Sequence, residues 1–221
     1  MELAAIDNSR IIYLTLVNRD GGPAYLPEVI SKIGERYSFA KLPQVDDLTK
    51  EVQTFSIGKF QDIQISELGI YNDGLIIASR SDTKYLDAFI DDLFSWAKKE
   101  LGVSQSVLAK PEKYYESTII IKSTQDLAKK VSAVADVENI FNKAFFSSEV
   151  PERNIKYGLS GAVYDCDAFE YKGKRKPFRF LIERRTGFPY KDNIFFSQAP
   201  LPTSDHMKVL KEIEELMQRR L

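Results

Sequence analysis

Three acidic residues in the C-terminal part of the chain, Asp165, Asp167 and Glu183, have the types and spacing of metal ligands. Asp165 and Asp167 are two positions apart in a predicted strand, residues 157–169, so their side chains project from one face. Glu183 lies in the next predicted strand, residues 178–185. If the three carboxylates met, they would hold a magnesium ion that could activate water.

The order of these residues resembles the pattern of the PD-(D/E)xK nucleases, in which an aspartate and an acid-x-lysine on the paired strand bind magnesium. Asp165 or Asp167 would match the first acid. Glu183 would match the second acid, and Arg185 would match the lysine. The resemblance implies magnesium-dependent cleavage of nucleic acid. Arg185 departs from the pattern because arginine stays protonated and cannot act as a base, although it could clamp a phosphate.

The loop between the two strands decides whether these carboxylates meet. A loop of two or four residues turns Glu183 to the face opposite Asp165, whereas an odd loop, pairing Tyr171 with Arg175, places both on one face. Tight hairpins favour two-residue connections. We therefore expect carboxylates on opposite faces and no cofactor, with magnesium as the alternative.

Side chains for covalent catalysis are scarce. His206 is the single histidine and therefore the single imidazole base for a serine nucleophile or for Cys166. We expect Cys166 to be a small buried strand residue, and His206 to face solvent in the first turn of the last helix, where unpaired N–H groups disfavour an imidazolium. Gly21 and Gly22 precede a predicted helix and could bind an anion, but they lack the remaining residues of a nucleotide fingerprint.

Composition and charge exclude several classes of protein. One cysteine rules out an intramolecular disulfide framework and multi-cysteine metal sites, which favours a cytoplasmic location. The apolar run Ile11–Val17 is too short for a signal or spanning segment, so we expect no membrane partner. A net charge of −1 argues against wholesale polyanion binding.

Charge is nevertheless distributed unevenly. Residues 44–92 contain ten acids and four bases, whereas residues 169–192 contain eight bases and three acids. Thirteen of the 26 aromatic residues lie between positions 139 and 200, among these bases. Stacking and cations together favour nucleic acid, while the alternation of Phe178, Phe180 and Ile182 favours core packing. The predicted contacts to phosphate or to a partner are Lys174, Arg175, Lys176, Arg184 and Arg185.

Hydrophobic periodicity predicts an α+β fold with mainly antiparallel strands. Asn72-Asp73-Gly74 closes a hairpin, and a helix follows with Ser81 or Asp82 as its cap and Gly102 at its end. The proline-containing segment 103–113 suggests two α+β halves, residues 1–103 and 104–221, or one continuous domain. The second half fits a split βαβ, ferredoxin-like arrangement.

The segment Asn193–Pro202 is apolar, stiffened by proline and poor in charge. Residues 194–197 are predicted as an edge strand, and Phe195, Phe196 and Leu201 as assembly contacts. We therefore expect a non-catalytic cytoplasmic protein that recognises another protein or forms a homo-oligomer. The alternative is a metal-dependent nuclease or a nucleic-acid-binding protein.

Overall fold

The computed structural model describes residues 1–19, 26–47, 50–105, 111–127, 140, 142–143, 158–165 and 176–219 of the 221-residue chain. Within these ranges, none of the helices is long and apolar enough to cross a membrane. Two short 3-10 helices, Val45–Asp47 and Tyr190–Asp192, connect larger elements.

Ten strands form two sheets in the described ranges. They are β1 (Glu2–Leu14), β2 (Val17–Arg19), β3 (Val52–Phe60), β4 (Ile63–Tyr71), β5 (Gly74–Ser79), β6 (Val103–Gln105), β7 (Glu112–Lys122), β8 (Gly161–Tyr164), β9 (Phe180–Arg184) and β10 (Ile194–Ala199). Eight form one sheet in the order β3, β4, β5, β1, β7, β10, β9, β8, and β2 pairs with β6. The registers of β1 with β5, β3 with β4, β4 with β5, β8 with β9, and β9 with β10 are antiparallel. The predicted α+β class is therefore confirmed.

The α-helices of the described chain are α1 (Leu26–Arg36), α2 (Thr83–Leu101) and α3 (Thr203–Arg219). Helix α2 begins where the sequence predicts, because the Asp82 carboxylate accepts a hydrogen bond from the Lys84 amide at 2.9 Å. It ends at Gly102, whose φ of 64° is the left-handed conformation that glycine adopts without strain.

The chain divides into two compact units, each assembled from separate stretches. The N-terminal unit contains residues 6–118 and 199–206, and the C-terminal unit contains residues 1–5, 119–198 and 207–221. The boundary predicted between residues 103 and 104 falls inside the first of these stretches.

In the N-terminal unit, α1 and α2 cover one face of the strands. Ile33 of α1 and Phe89 of α2 belong to the same buried cluster as Ile11 of β1 and Phe55 of β3. The ring of Tyr37 lies 4.6 Å from that of Phe89, centroid to centroid. Burial of each large side chain of this kind contributes roughly 1.5–3 kcal/mol, which explains why these helices remain on the sheet.

In the C-terminal unit, α3 supplies the buried Leu210, and the strands contribute Ile119, Ile121 and Phe195 to the interior. Strand β10 lies between β7 and β9. The prediction of an edge strand here is wrong, because both sides of β10 are paired. The predicted ferredoxin-like arrangement is not confirmed, and most of the helix predicted after Ser123 lies outside the described residues.

Candidate nucleic-acid interface

The register of the β8–β9 hairpin fixes the faces of the predicted metal ligands. Gly161 pairs with Glu183. Extending this register by one residue sets Asp165 opposite Arg179 and on the same face as Glu183, so the expectation of opposite faces is wrong, and the loop itself lies outside the described residues. Asp165 is nevertheless four positions from the partner of Glu183, about 13 Å at the usual strand rise. That separation is too great for both carboxylates to bind one cation.

Asp165 is held by two cations of the same hairpin. Lys176 Nζ donates a hydrogen bond to Asp165 Oδ2 at 3.0 Å, and Arg179 Nε donates to the same oxygen at 2.9 Å. The Lys176 bond and, less strongly, the Arg179 bond lower the pKa of the Asp165 carboxyl. The side chains of Lys176 and Arg179 remain 43% and 67% exposed. Asp165 is therefore an ionised residue that positions two surface cations.

The structure gives no support to the other residues predicted for metal binding, phosphate contact or catalysis, and several of them lie outside the described residues. Asp167, Lys174 and Arg175 lie outside the described residues, as do Cys166 and the Gly21-Gly22 pair. The Arg185 guanidinium lies 5.6 Å from the centre of the Phe188 ring. In the parts of the chain that the structure describes, no three histidine, cysteine or acidic side chains are grouped so that they could hold a metal ion.

Arg184 is buried, unlike the exposed cations of the hairpin. Its side chain is 6% exposed and is bonded to the Asp126 carboxylate. Its Nε donates to the Leu159 carbonyl at 3.3 Å, and its Nη1 donates to the Tyr190 carbonyl at 3.1 Å. The guanidinium also lies 4.2 Å from the Tyr190 ring centre. Arg184 therefore ties the connection after β9 to the sheet, and these bonds leave it unsuited to the predicted phosphate contact.

A groove of about 500 Å³ lies beside the two exposed cations. Strand alternation explains its composition, because Leu181 and Gln198 are paired and project to the same face. Ile182 projects to the other face, beside Ile213 and Met217 of α3. The groove is lined by Val163, Lys176, Pro177, Phe178, Arg179, Leu181 and Gln198. It therefore combines an aromatic ring, two cations and a side-chain amide on the face away from α3.

The structure differs from the sequence prediction at Phe178, one of the residues that line this groove. The alternation of Phe178 with Phe180 and Ile182 predicts a core residue, but β9 begins at Phe180, so Phe178 precedes the strand. Pro177 was the available signal, because proline lacks an amide donor and marks a strand's beginning. Arg179 is one of the eight bases in residues 169–192, but nothing in the sequence alone pairs it with Asp165.

The predicted assembly residues occupy different environments. Phe195 is 1% exposed and belongs to the protein interior, so it cannot make the assembly contact predicted for it. Phe196 is half-buried and pairs with Glu183 across the sheet, and Leu201 is half-buried after β10. The segment 193–202 thus owes its apolar character mainly to its place inside the sheet.

His206 is fully buried, so the expectation that it faces solvent is wrong. Its Nδ1 lies 2.7 Å from the Ser117 hydroxyl, and burial lowers the pKa of the imidazole to about 4. A hydroxyl and an imidazole at this distance could form a nucleophile and its base. Ser117 is also fully buried, however, so a substrate could not reach the pair. The neutral imidazole satisfies a buried hydroxyl instead.

Comparisons with known proteins identify no family. No protein-family model matches the chain, and no curated protein matches it. Among solved structures, Methanococcus jannaschii TBP is similar to 97% of this chain over 98% of its own, with a TM-score of 0.47 and 12% sequence identity. A likeness at this level assigns no function to the chain.

Proposed function

We propose that this protein binds single-stranded nucleic acid in the groove of the β8–β9 hairpin. The observation that carries the proposal is the placement of the Phe178 ring beside two exposed cations, Lys176 and Arg179, in one groove. An aromatic ring stacks on an exposed base, and neighbouring cations bind the phosphates. The Gln198 amide can donate to or accept from a base edge.

The charge of this part of the sequence favours a polyanion. Residues 172–176 include four cations, and residues 169–192 carry five more bases than acids. Asp165 offsets one positive charge, but it also holds Lys176 and Arg179 in place. Pre-positioned cations lose less side-chain entropy on binding than mobile ones. Electrostatic attraction would bring the strand to the hairpin, and stacking would retain it there.

Binding to a fluorescent 20-nucleotide single strand, followed by anisotropy at several salt concentrations, tests the proposal. Arg179→Ala should weaken binding about tenfold and reduce the salt slope by about one, because one phosphate contact is lost. Phe178→Leu should weaken binding about tenfold at every salt concentration, because the ring that stacks is lost. Lys98→Ala, at an exposed position of α2, is the matched control and should bind like wild type. Wild-type protein that shows no salt-dependent binding would overturn the proposal.

Asp165→Asn separates binding from metal-dependent cleavage, because one model predicts a loss of cleavage and the other predicts that binding is retained. If Asp165 held magnesium, the amide would abolish cleavage. If Asp165 only positions cations, removing its charge makes the groove more positive, so binding should be unchanged or tighter at low salt. The same labelled strand, incubated with magnesium and separated on a denaturing gel, measures cleavage directly.

Self-assembly is a second candidate, supported by strand β8. This strand ends the sheet order among the described strands, and its Val163 and Tyr164 are 58% and 61% exposed. An exposed terminal strand can pair with another chain. Sedimentation should then show a concentration-dependent dimer that Tyr164→Lys disrupts. A monomer at all concentrations would exclude this candidate. The cytoplasmic location of the protein stays a prediction.

A further inference from the structure

An apolar cavity of about 190 Å³ lies in the N-terminal unit. Helix α1 lines it with Val29 and Ile33, and α2 lines it with Phe94, Trp96 and Ala97. Thr15 also lines it, but its amide already donates to the Asp73 carbonyl at 2.9 Å. The walls therefore offer mainly apolar surface to anything inside.

This cavity is partly open to solvent, so it is a pocket that a ligand could enter rather than a packing defect of the interior. One small residue, Ala97, lines the space where a larger side chain would fill it. An engineered apolar cavity of about 150 Å³ stays dry and binds benzene. A natural cavity somewhat larger than that has room for a ligand of similar size.

We propose that this cavity binds a small, uncharged and largely apolar molecule, the size of one aromatic ring with a short substituent. Burial of such a molecule removes its apolar surface from water. A charged ligand is disfavoured, because the apolar walls would not compensate for the loss of its hydration. The proposal is independent of nucleic-acid binding, because the groove and the cavity share no lining residue.

Trp96 makes this site directly observable. It is the single tryptophan of the chain, and it is one of the residues that line the cavity. The Arg36 guanidinium lies 5.5 Å from the centre of this ring. Iodobenzene is an uncharged ring whose heavy atom quenches tryptophan fluorescence on contact. Titrating the full chain with iodobenzene should quench Trp96 along a saturable, single-site curve.

Ala97→Leu should fill the cavity and weaken iodobenzene binding at least tenfold. Ser95→Leu adds the same side chain at an exposed position of α2 and should bind like wild type. Linear, unsaturable quenching of the wild type would overturn the proposal, as would equal binding by the two variants. If Ala97→Leu fails to fold, wild-type methyl NMR still decides the question. Signals of Val29, Ile33 and Leu75 must shift on titration, and unshifted signals would overturn the proposal.

Discussion

The imidazole of His206 takes up its proton at a lower pH in the folded chain than in the unfolded chain. Its pKa is about 4 in the buried site, against 6.5 for an ordinary histidine. Between these values the unfolded state binds more protons, so the free energy of unfolding falls as pH drops from 6.5 to 4. The total loss should be roughly 3 kcal/mol, and this residue contributes no further change below pH 4.

His206→Asn should flatten this part of the pH profile, because an amide can still bond the Ser117 hydroxyl but does not titrate. Urea unfolding at half-unit steps from pH 4 to pH 7 measures the effect. Glu212→Gln, at an exposed position on the same helix, should leave the slope between pH 5 and pH 6.5 unchanged. A wild-type slope retained in His206→Asn would mean that another group titrates in this window.

At the scale of elements, the first residues of α2 and α3 exchange two hydrogen bonds, each from the backbone amide of one threonine to the side-chain hydroxyl of the other. The Thr203 amide donates to the Thr83 hydroxyl at 3.0 Å, and the Thr83 amide donates to the Thr203 hydroxyl at 3.2 Å. Both side chains are 1% exposed. Thr83→Val or Thr203→Val would leave a buried amide without its partner, at a cost of about 1–3 kcal/mol.

The matching serine variants separate the hydroxyl from the methyl group. Thr83→Ser and Thr203→Ser keep the oxygen that accepts the amide and should lose less stability in urea unfolding than the valine variants do. A larger loss for serine than for valine at either position would show that packing of the methyl group, rather than the reciprocal hydrogen bond, holds the two helix ends together.

Local signals could be read from the sequence, whereas long-range pairing could not. Asp82 and Gly102 determine the ends of α2 through contacts within a few residues, and Gly74 closes the β4–β5 turn opposite Tyr71. The interior position of β10 depends on strands far away in sequence. The burial of His206 depends on Ser117, which lies 89 residues earlier. The candidate groove could not be predicted from local signals either. Gln198 lines it only because β10 pairs with β9.

At the scale of the molecule, the chain passes between the two units four times. The crossings lie between residues 5 and 6, 118 and 119, 198 and 199, and 206 and 207. Each falls inside a regular element, namely β1, β7, β10 and α3. Domains that unfold separately are normally joined by exposed linkers. Because one unit cannot lose its strands without breaking elements of the other, we expect a single cooperative unfolding transition.

Glu214 lies in the C-terminal unit and Trp96 lies in the N-terminal unit, so a change at the first residue and a signal from the second can test this cooperativity. Burial would raise the pKa of Glu214, but bonds from the N-terminal ammonium, Ser123 and Thr124 outweigh it and lower the pKa to about 2. Against an ordinary value of 4.5, that shift corresponds to roughly 3 kcal/mol at neutral pH. Glu214→Gln should therefore lower the urea midpoint of Trp96 fluorescence, in the other unit, as much as that of circular dichroism. An unchanged Trp96 midpoint would show that the units unfold independently.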